Sequence, residues 1–292
     1  MTIRILKITV LILLVLGLSF CSKKQTSGGN LFPTPDDGTR IILSKEDVSL
    51  GTHHTQHFKI FSKYVQGYNR YILKGIDKVQ STAPDGGGYF AGVTADPPES
   101  PIGYPLTLLG VKLLDPPRPT SYCSGSSYAA FIEGLNLILE KSKNKHLKMA
   151  QAEALRMQEP DGGRREDHVK FWGKWNADGY GNYFALVNYA KMGKRIKPVQ
   201  ARPGDFMNIS WKKGGGHSVI FLGWYKDENG KKYVAYWSSQ KRTNGIGDDL
   251  VPLERIKEVM LVRLTQPEKI FSFDTTSIED VDIPGDSILW ED

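Results

Sequence analysis

Cysteine is nearly missing from this sequence, with Cys21 and Cys123 the only two among 292 residues. That is too few for a disulfide framework. No apolar run reaches the roughly 20 residues that a spanning helix needs; the run from Ile8 to Phe20 stops after thirteen. Internal repeats and coiled-coil heptads are also missing, which excludes solenoid and fibrous classes. The basic residues are scattered rather than clustered, so nothing points to a nucleic-acid partner. His53, His54 and His57 lack the Glu of a His-Glu-x-x-His zinc pattern and show no third ligand, so no metal is expected and they read as a polar helix face. No organic cofactor is called for, and a monomer is expected.

What the chain does have begins at its amino terminus. Arg4 and Lys7 precede the apolar run, the layout of a secretory signal over residues 1–20. Leu18-Ser19-Phe20-Cys21 resembles a bacterial lipobox, which implies cleavage before Cys21 and its lipidation. Phe20 stands where small residues are usual, and an uncleaved signal anchor is the alternative. Either way the remainder lies outside the cytoplasm, in the cell envelope. Ser22 and Lys23 supply no acidic retention cue, which leans towards the outer membrane. Residues 21–44, polar and rich in Gly, Pro and Lys up to Asp37, read as a flexible tether. Loss of Arg4 and Lys7 with the signal takes the formal net charge from +6 to +4, a mild attraction to anionic envelope polymers. If Cys21 is acylated, Cys123 is a lone thiol in an oxidising compartment. It is then either a buried core residue or kept for chemistry.

Residues 45–80 carry apolar side chains at near-helical spacing (Phe58, Phe61, Tyr64, Val65, Tyr68, Ile72) and predict one long helix or two packed across the main domain. Ser81 to Ser121 is rich in Gly and Pro and reads as loops. After Cys123 comes a helical stripe (Tyr128, Phe131, Ile132, Leu135, Ile138, Leu139) that ends in a charged run. A second helix is predicted over Tyr183 to Met192, stopped by Gly193. Strand signals follow at 217–224, 232–239 and 259–264, the first two joined by the turn Asp227-Glu228-Asn229-Gly230. Residues 268–292 read as a solvated acidic tail.

Three short motifs carry chemistry: Ser121-Tyr122-Cys123-Ser124-Gly125 opening a helix, Arg202-Pro203-Gly204-Asp205 leading into a strand, and Gly215-Gly216-His217-Ser218-Val219 opening the next. A thiol with an ordinary pKa of about 8.5 is made more nucleophilic by the positive end of a helix dipole. An imidazole from another element completes the activation and later protonates a leaving amine. Of the remaining histidines, His146 and His168 lie in charged stretches and read as exposed.

These motifs, in this order, resemble the NlpC/P60 and CHAP cysteine peptidases over roughly Gly86 to Leu264. The resemblance implies an α+β, papain-like catalytic domain (residues 81–267), its Cys-bearing helix packed on an antiparallel His-bearing sheet, and a helical insertion at about 140–200. It implies a hydrolase that cuts peptide or amide bonds in peptidoglycan, with Cys123 as nucleophile and His217 as base. Tyr122 replaces the Asp that many members have before the cysteine. The resemblance also implies a third residue on the following strand, where Gln240 is favoured over Ser238 because its carbonyl can accept the ring N–H. The backbone N–H of Cys123 suits an oxyanion. Gly87-Gly88-Tyr89-Phe90 resembles the segment that supplies a helping Tyr, so Tyr89 is chosen, with Tyr104 and Tyr122 as rivals and Ser124 beside the substrate. Trp172, Trp175, Tyr180 and Tyr183, with Asn176 and Asp178, form either core or a saccharide or peptide platform. Two other functions share these residues: a papain-like transamidase or acyltransferase acting on protein or lipid, and a non-catalytic envelope binding module.

Overall fold

The structure, a computed structural model, describes residues 39–94, 101–116, 118–142, 146–156, 172, 181–276 and 283–290. The signal, Cys21 and most of the tether lie outside them, as do His168, Trp175 and Tyr180. Among the described residues no helix is long and apolar enough to cross a membrane.

The chain is mixed α+β. Two helices, α1 (His57–Phe61) and α2 (Asn69–Gln80), precede a small hairpin of β1 (Leu106–Leu108) and β2 (Val111–Leu114). The long helix α3 (Cys123–Leu139) and the short α4 (Met149–Leu155) follow, then α5 (Gly181–Tyr183), which continues as a π-helical turn over Phe184–Tyr189. Strands β3 (Gly193–Ile196), β4 (Phe206–Trp211), β5 (Gly216–Lys226), β6 (Lys232–Gln240), β7 (Gly245–Pro252) and β8 (Ile256–Leu264) form one antiparallel sheet in the order β3-β8-β4-β5-β6-β7.

Strand alternation divides the core in two. Phe206, Ile220, Ala235, Trp237 and Val262 face the helices and pack with Ile72, Ile76, Phe131 and Leu135. Met207, Ile209, Val219, Phe221, Val234, Tyr236 and Leu261 face the other way. The apolar stripe after Cys123 is therefore the face that α3 lays on the sheet. His217 and Gln240 share strand parity with the second set, while Ser218 and Ser239 point towards α3 and the loop before it.

Several readings are corrected. Residues 45–80 hold two helices, one of the two expected arrangements, but the segment is not helical from its start: 46–48 form only a single 3-10 turn. Part of the supposed loop at 81–121 is the β1–β2 hairpin. The sheet also gains β3, inside the supposed insertion, and β7, whose Gly and Asp residues hide its strand character. The tether ends before residue 44: Leu43, 3% exposed, donates its N–H to Trp224 O at 2.7 Å. Its side chain presses on Gly223, where an added Cβ would come 2.4 Å from Leu43 Cγ. The acidic segment is a strap rather than a solvated tail. Ile270 and Phe273 enter the core, Asp286 pairs with Val259 in a β-bridge and with Arg195 and Lys197 in ion pairs, and Trp290 packs on Trp224. Of its acids, Asp286 thus finds its basic partners on β3 and just beyond it.

Candidate active site

The Arg-Pro-Gly-Asp motif builds the platform under the site. Gly204 takes φ +90° with Asn69 backbone against it, a conformation and a closeness that a Cβ would not allow. Asp205 is fully buried and receives two hydrogen bonds from Arg263, each 2.8 Å, with further ones from Asn69 Nδ2 and the Arg202 N–H. One carboxylate thus ties β4 to β8 and to α2, and the motif is structural.

Cys123 is the first residue of α3, following Tyr122 in extended conformation, and is 2% exposed. Its thiol therefore meets the positive end of a seventeen-residue helix. The start of α3 is pinned to the sheet at two points: Ser127 Oγ lies 3.0 Å from Ser218 Oγ, and Ser121 Oγ donates to Ser239 Oγ at 2.8 Å. Ser218 and Ser239 are the sequence neighbours of His217 and Gln240. The helix end that bears the thiol is thereby held against the strand ends that bear the imidazole and the amide.

His217 Nε2 lies 3.2 Å from Gln240 Oε1. The amide's orientation follows from its other bonds, since Gln240 Nε2 donates to Thr243 Oγ1 at 2.6 Å and to Gly247 O at 3.3 Å. Oε1 must then accept, so Nε2 of His217 carries the hydrogen and Nδ1 is the nitrogen of opposite role. The alternative, Ser238, is occupied in donating to Ser218 O at 2.7 Å.

Tyr236 connects the parts. Its ring stands edge-on to His217 at 5.4 Å. Its hydroxyl is raised in pKa, foremost by burial, against the pull of the Arg242 and Arg255 charges and with that of the Cys123 thiolate. Tyr89 also senses the thiolate: burial first, then the Cys123 charge, pushes its pKa up to about 12, so it stays a hydrogen-bond donor. Tyr89 is half-buried and is bridged through its backbone to Ser121. Tyr104 is spent on Glu133, 2.8 Å away.

Tyr122 lies beside Tyr89, their ring centres 5.9 Å apart, while Ser124 turns inward. Tyr122 is 4% exposed and Ser124 fully buried; one step along a helix turns a side chain by about 100°, which takes Ser124 from the mouth into the packed interior. Trp172 is core as well. Its Nε1 donates to Ser127 Oγ at 3.0 Å, and its ring stacks on Phe131 at 4.9 Å. Tyr183 is half-buried, and His146 is exposed.

The three histidines are no polar helix face. His57 is fully buried, with Nδ1 2.8 Å from Asp77 and Nε2 2.8 Å from Asp248, while His54 Nε2 lies 3.1 Å from the other Asp248 oxygen. Among the described residues His54, His57 and Asp248 are the one group whose ligand atoms, within 4.8 Å of one another, could hold a metal. Two features oppose a shared ion. The rings stack at 4.3 Å with planes 25° apart, so their lone pairs run side by side instead of converging. The Gln56 N–H donates to His54 Nδ1, which leaves the ring hydrogen of neutral His54 on Nε2, facing Asp248. Burial lowers the His57 pKa, but the Asp248 charge and the bonds to both carboxylates outweigh it and bring it up to about 9. The cluster is an imidazolium clamped between two carboxylates.

Sequence reasoning missed Tyr236, Thr243 and Trp211, whose ring lies 6.2 Å from that of His217. Strand parity with Gln240 marks Tyr236; nothing local marks the other two. No protein-family model, curated protein or solved structure matches the chain.

Proposed function

We propose that this protein is a papain-like cysteine hydrolase of peptide or amide bonds. Cys123 is its nucleophile, His217 its general base and acid, and Gln240 the residue that orients the imidazole. The observation that carries the reading is the pinning of the helix amino terminus that bears the thiol, through Ser127–Ser218 and Ser121–Ser239, to the strand ends that bear a His–Gln hydrogen bond whose polarity is set by Thr243 and Gly247. A helix and a hairpin about ninety residues further along the chain contribute, and a merely structural cysteine needs neither.

In this reading the Cys123 thiolate attacks the amide carbonyl. The oxyanion forms beside the Cys123 backbone N–H and the Tyr89 hydroxyl, and His217, through Nδ1, protonates the departing amine. Water activated by the same nitrogen then releases the acid. The signal-like amino terminus and the motif resemblance make an envelope-anchored enzyme acting on peptidoglycan stem peptides the favoured setting.

The test is digestion of purified peptidoglycan by the full-length protein and by Cys123→Ala, read by mass spectrometry with and without an added amine. Fragments released by the unsubstituted protein alone, as free acids, are expected. Release by the variant would overturn the reading, and a predominant amine adduct would make it a transferase.

A further inference from the structure

We infer that the exposed face of the two amino-terminal helices is a docking surface for an anionic phospholipid bilayer, with Phe58, Arg70, Tyr71 and Lys74 meeting the lipid headgroups. The inference is independent of the hydrolase reading, and it rests on the envelope-anchor reading only for what brings a bilayer near.

Where α1 meets α2 there is a groove of about 470 Å³ lined by Phe58, Gln66, Arg70, Tyr71 and Lys74. No acid lines it. Phe58 is half-buried and its ring carries two cations, with Lys74 Nζ 4.5 Å and the Arg70 guanidinium carbon 5.1 Å from its centre, while Lys74 also lies 5.7 Å from the ring of Tyr71. Such contacts hold a cation in place without neutralising it. Arg70 donates further to Ser62 O at 3.4 Å, and the exposed Lys59 donates to Gln56 Oε1 at 3.3 Å. Among the described residues none of these three cations has a carboxylate partner. The acid on the same helix, Asp77, is taken up by the ring and backbone of His57, and the next cation along, Lys78, is matched by Glu133 at 2.6 Å. The surplus positive charge is therefore confined to the groove and its rim.

Charge and position together select the occupant. The seventeen residues from Ser22 to Gly38 reach at most about 60 Å, so a bilayer that holds the chain at Cys21, or at the apolar run before it, lies within that distance of Thr39. Eight residues further on, the chain is already bonded to these helices: Asp47 accepts hydrogen bonds from Lys63 Nζ at 2.8 Å and from the Tyr64 hydroxyl at 2.6 Å, in the turn that leads from α1 to α2. A guanidinium and an ammonium group bind phosphate oxygens by charge-assisted hydrogen bonds, and half-exposed aromatic rings suit the boundary between headgroup and acyl chain. A soluble anion would engage the cations and leave the rings without a role.

The test is lysine acetylation, read site by site by mass spectrometry, of the full-length protein reconstituted with vesicles of phosphatidylcholine alone or with about 30% phosphatidylglycerol added. At low salt Lys59 and Lys74 are expected to react about 5-fold more slowly on the anionic vesicles, the bias that one basic residue gains near such a surface, while the exposed Lys212 and Lys213 of the β4–β5 turn react equally on both. The protection should vanish at ~1 M salt and be reduced in Arg70→Gln, which leaves both reporting lysines in place. Equal rates at Lys59 and Lys74, equal slowing at Lys212 and Lys213, or the same protection by soluble glycerol phosphate without vesicles would overturn the docking surface. Failure of the anchor reading shows separately, as a protein that does not stay with phosphatidylcholine vesicles; the face is then judged on protection by the anionic vesicles relative to buffer, with the same expected and overturning results.

Discussion

At the scale of single residues, the orientation of one amide decides which nitrogen of His217 carries the hydrogen. Gln240 can present oxygen to His217 only because Thr243 and Gly247 take its N–H groups. Thr243 is held in turn: it donates to Gly245 O, and its own carbonyl lies 2.8 Å from His53 Nε2. Removing the acceptor by Gln240→Ala should lower kcat by about 10- to 100-fold, less than the 10²–10⁴ of a positioned acid–base group, with little change in KM. It should also shift the pH profile of Cys123 alkylation by iodoacetamide. An unchanged alkylation profile would mean that Gln240 does no more than end its strand.

At the scale of elements, the clearest dependence is that of β4 and β8 on one buried ion pair. Asp205 and Arg263 are 0% and 2% exposed, and removing one partner leaves the other charged in the core. Asp205→Ala should therefore cost about 3–5 kcal/mol, seen as a lower urea midpoint with an unchanged slope. A loss below about 1 kcal/mol would show that Arg263 finds water or another partner. The same pair shows what the sequence could and could not disclose. The turn before β4 was legible because Pro203-Gly204 is a local signal, and α3, β5, β6 and β8 were legible because their periodicity is local too. The buried partner of Asp205, 58 positions away, leaves no local trace. Strand β7 was hidden for a similar reason: Asp248 and Asp249 look like turn residues until His54, His57 and Arg242 arrive from elsewhere. Within the site, Cys123, His217 and Gln240 could be picked out from motif and strand parity. Tyr122, extended ahead of α3, and Ser124, one helical step past Cys123, take directions that sequence proximity to a nucleophile does not disclose.

At the scale of the whole molecule, His57 fastens the amino-terminal helices to the far edge of the sheet. It is clamped between Asp77 on α2 and Asp248 on β7. Its folded pKa of about 9 stands above the ordinary 6.5, so its contribution is complete below pH 6.5 and is lost as pH rises through 9. At 1.36 kcal/mol per unit the span is about 3 kcal/mol. Asp248 has the opposite sense. Burial raises its pKa, but the His57 charge and the bonds to both histidines outweigh that and lower it, so its share is present above about pH 3.8 and lost as pH falls through the lowered value. Urea unfolding should show stability falling between pH 6.5 and 9.5 in the native chain and a much flatter dependence in His57→Gln; parallel curves would remove the clamp. The route by which the chain enters the fold has a mechanical consequence. Residues 41–43 lie parallel to β5 at Trp224, joined by the Leu43 N–H to Trp224 O and by the Trp224 N–H to Ile41 O, and Arg40 sits over the rings of Trp224 and Trp290. A pull from the preceding chain loads those bonds in shear, together rather than one after another, and passes along β5, the strand that carries His217. Tension on the preceding chain would thus enter the sheet at Trp224, seven residues along the same strand from His217.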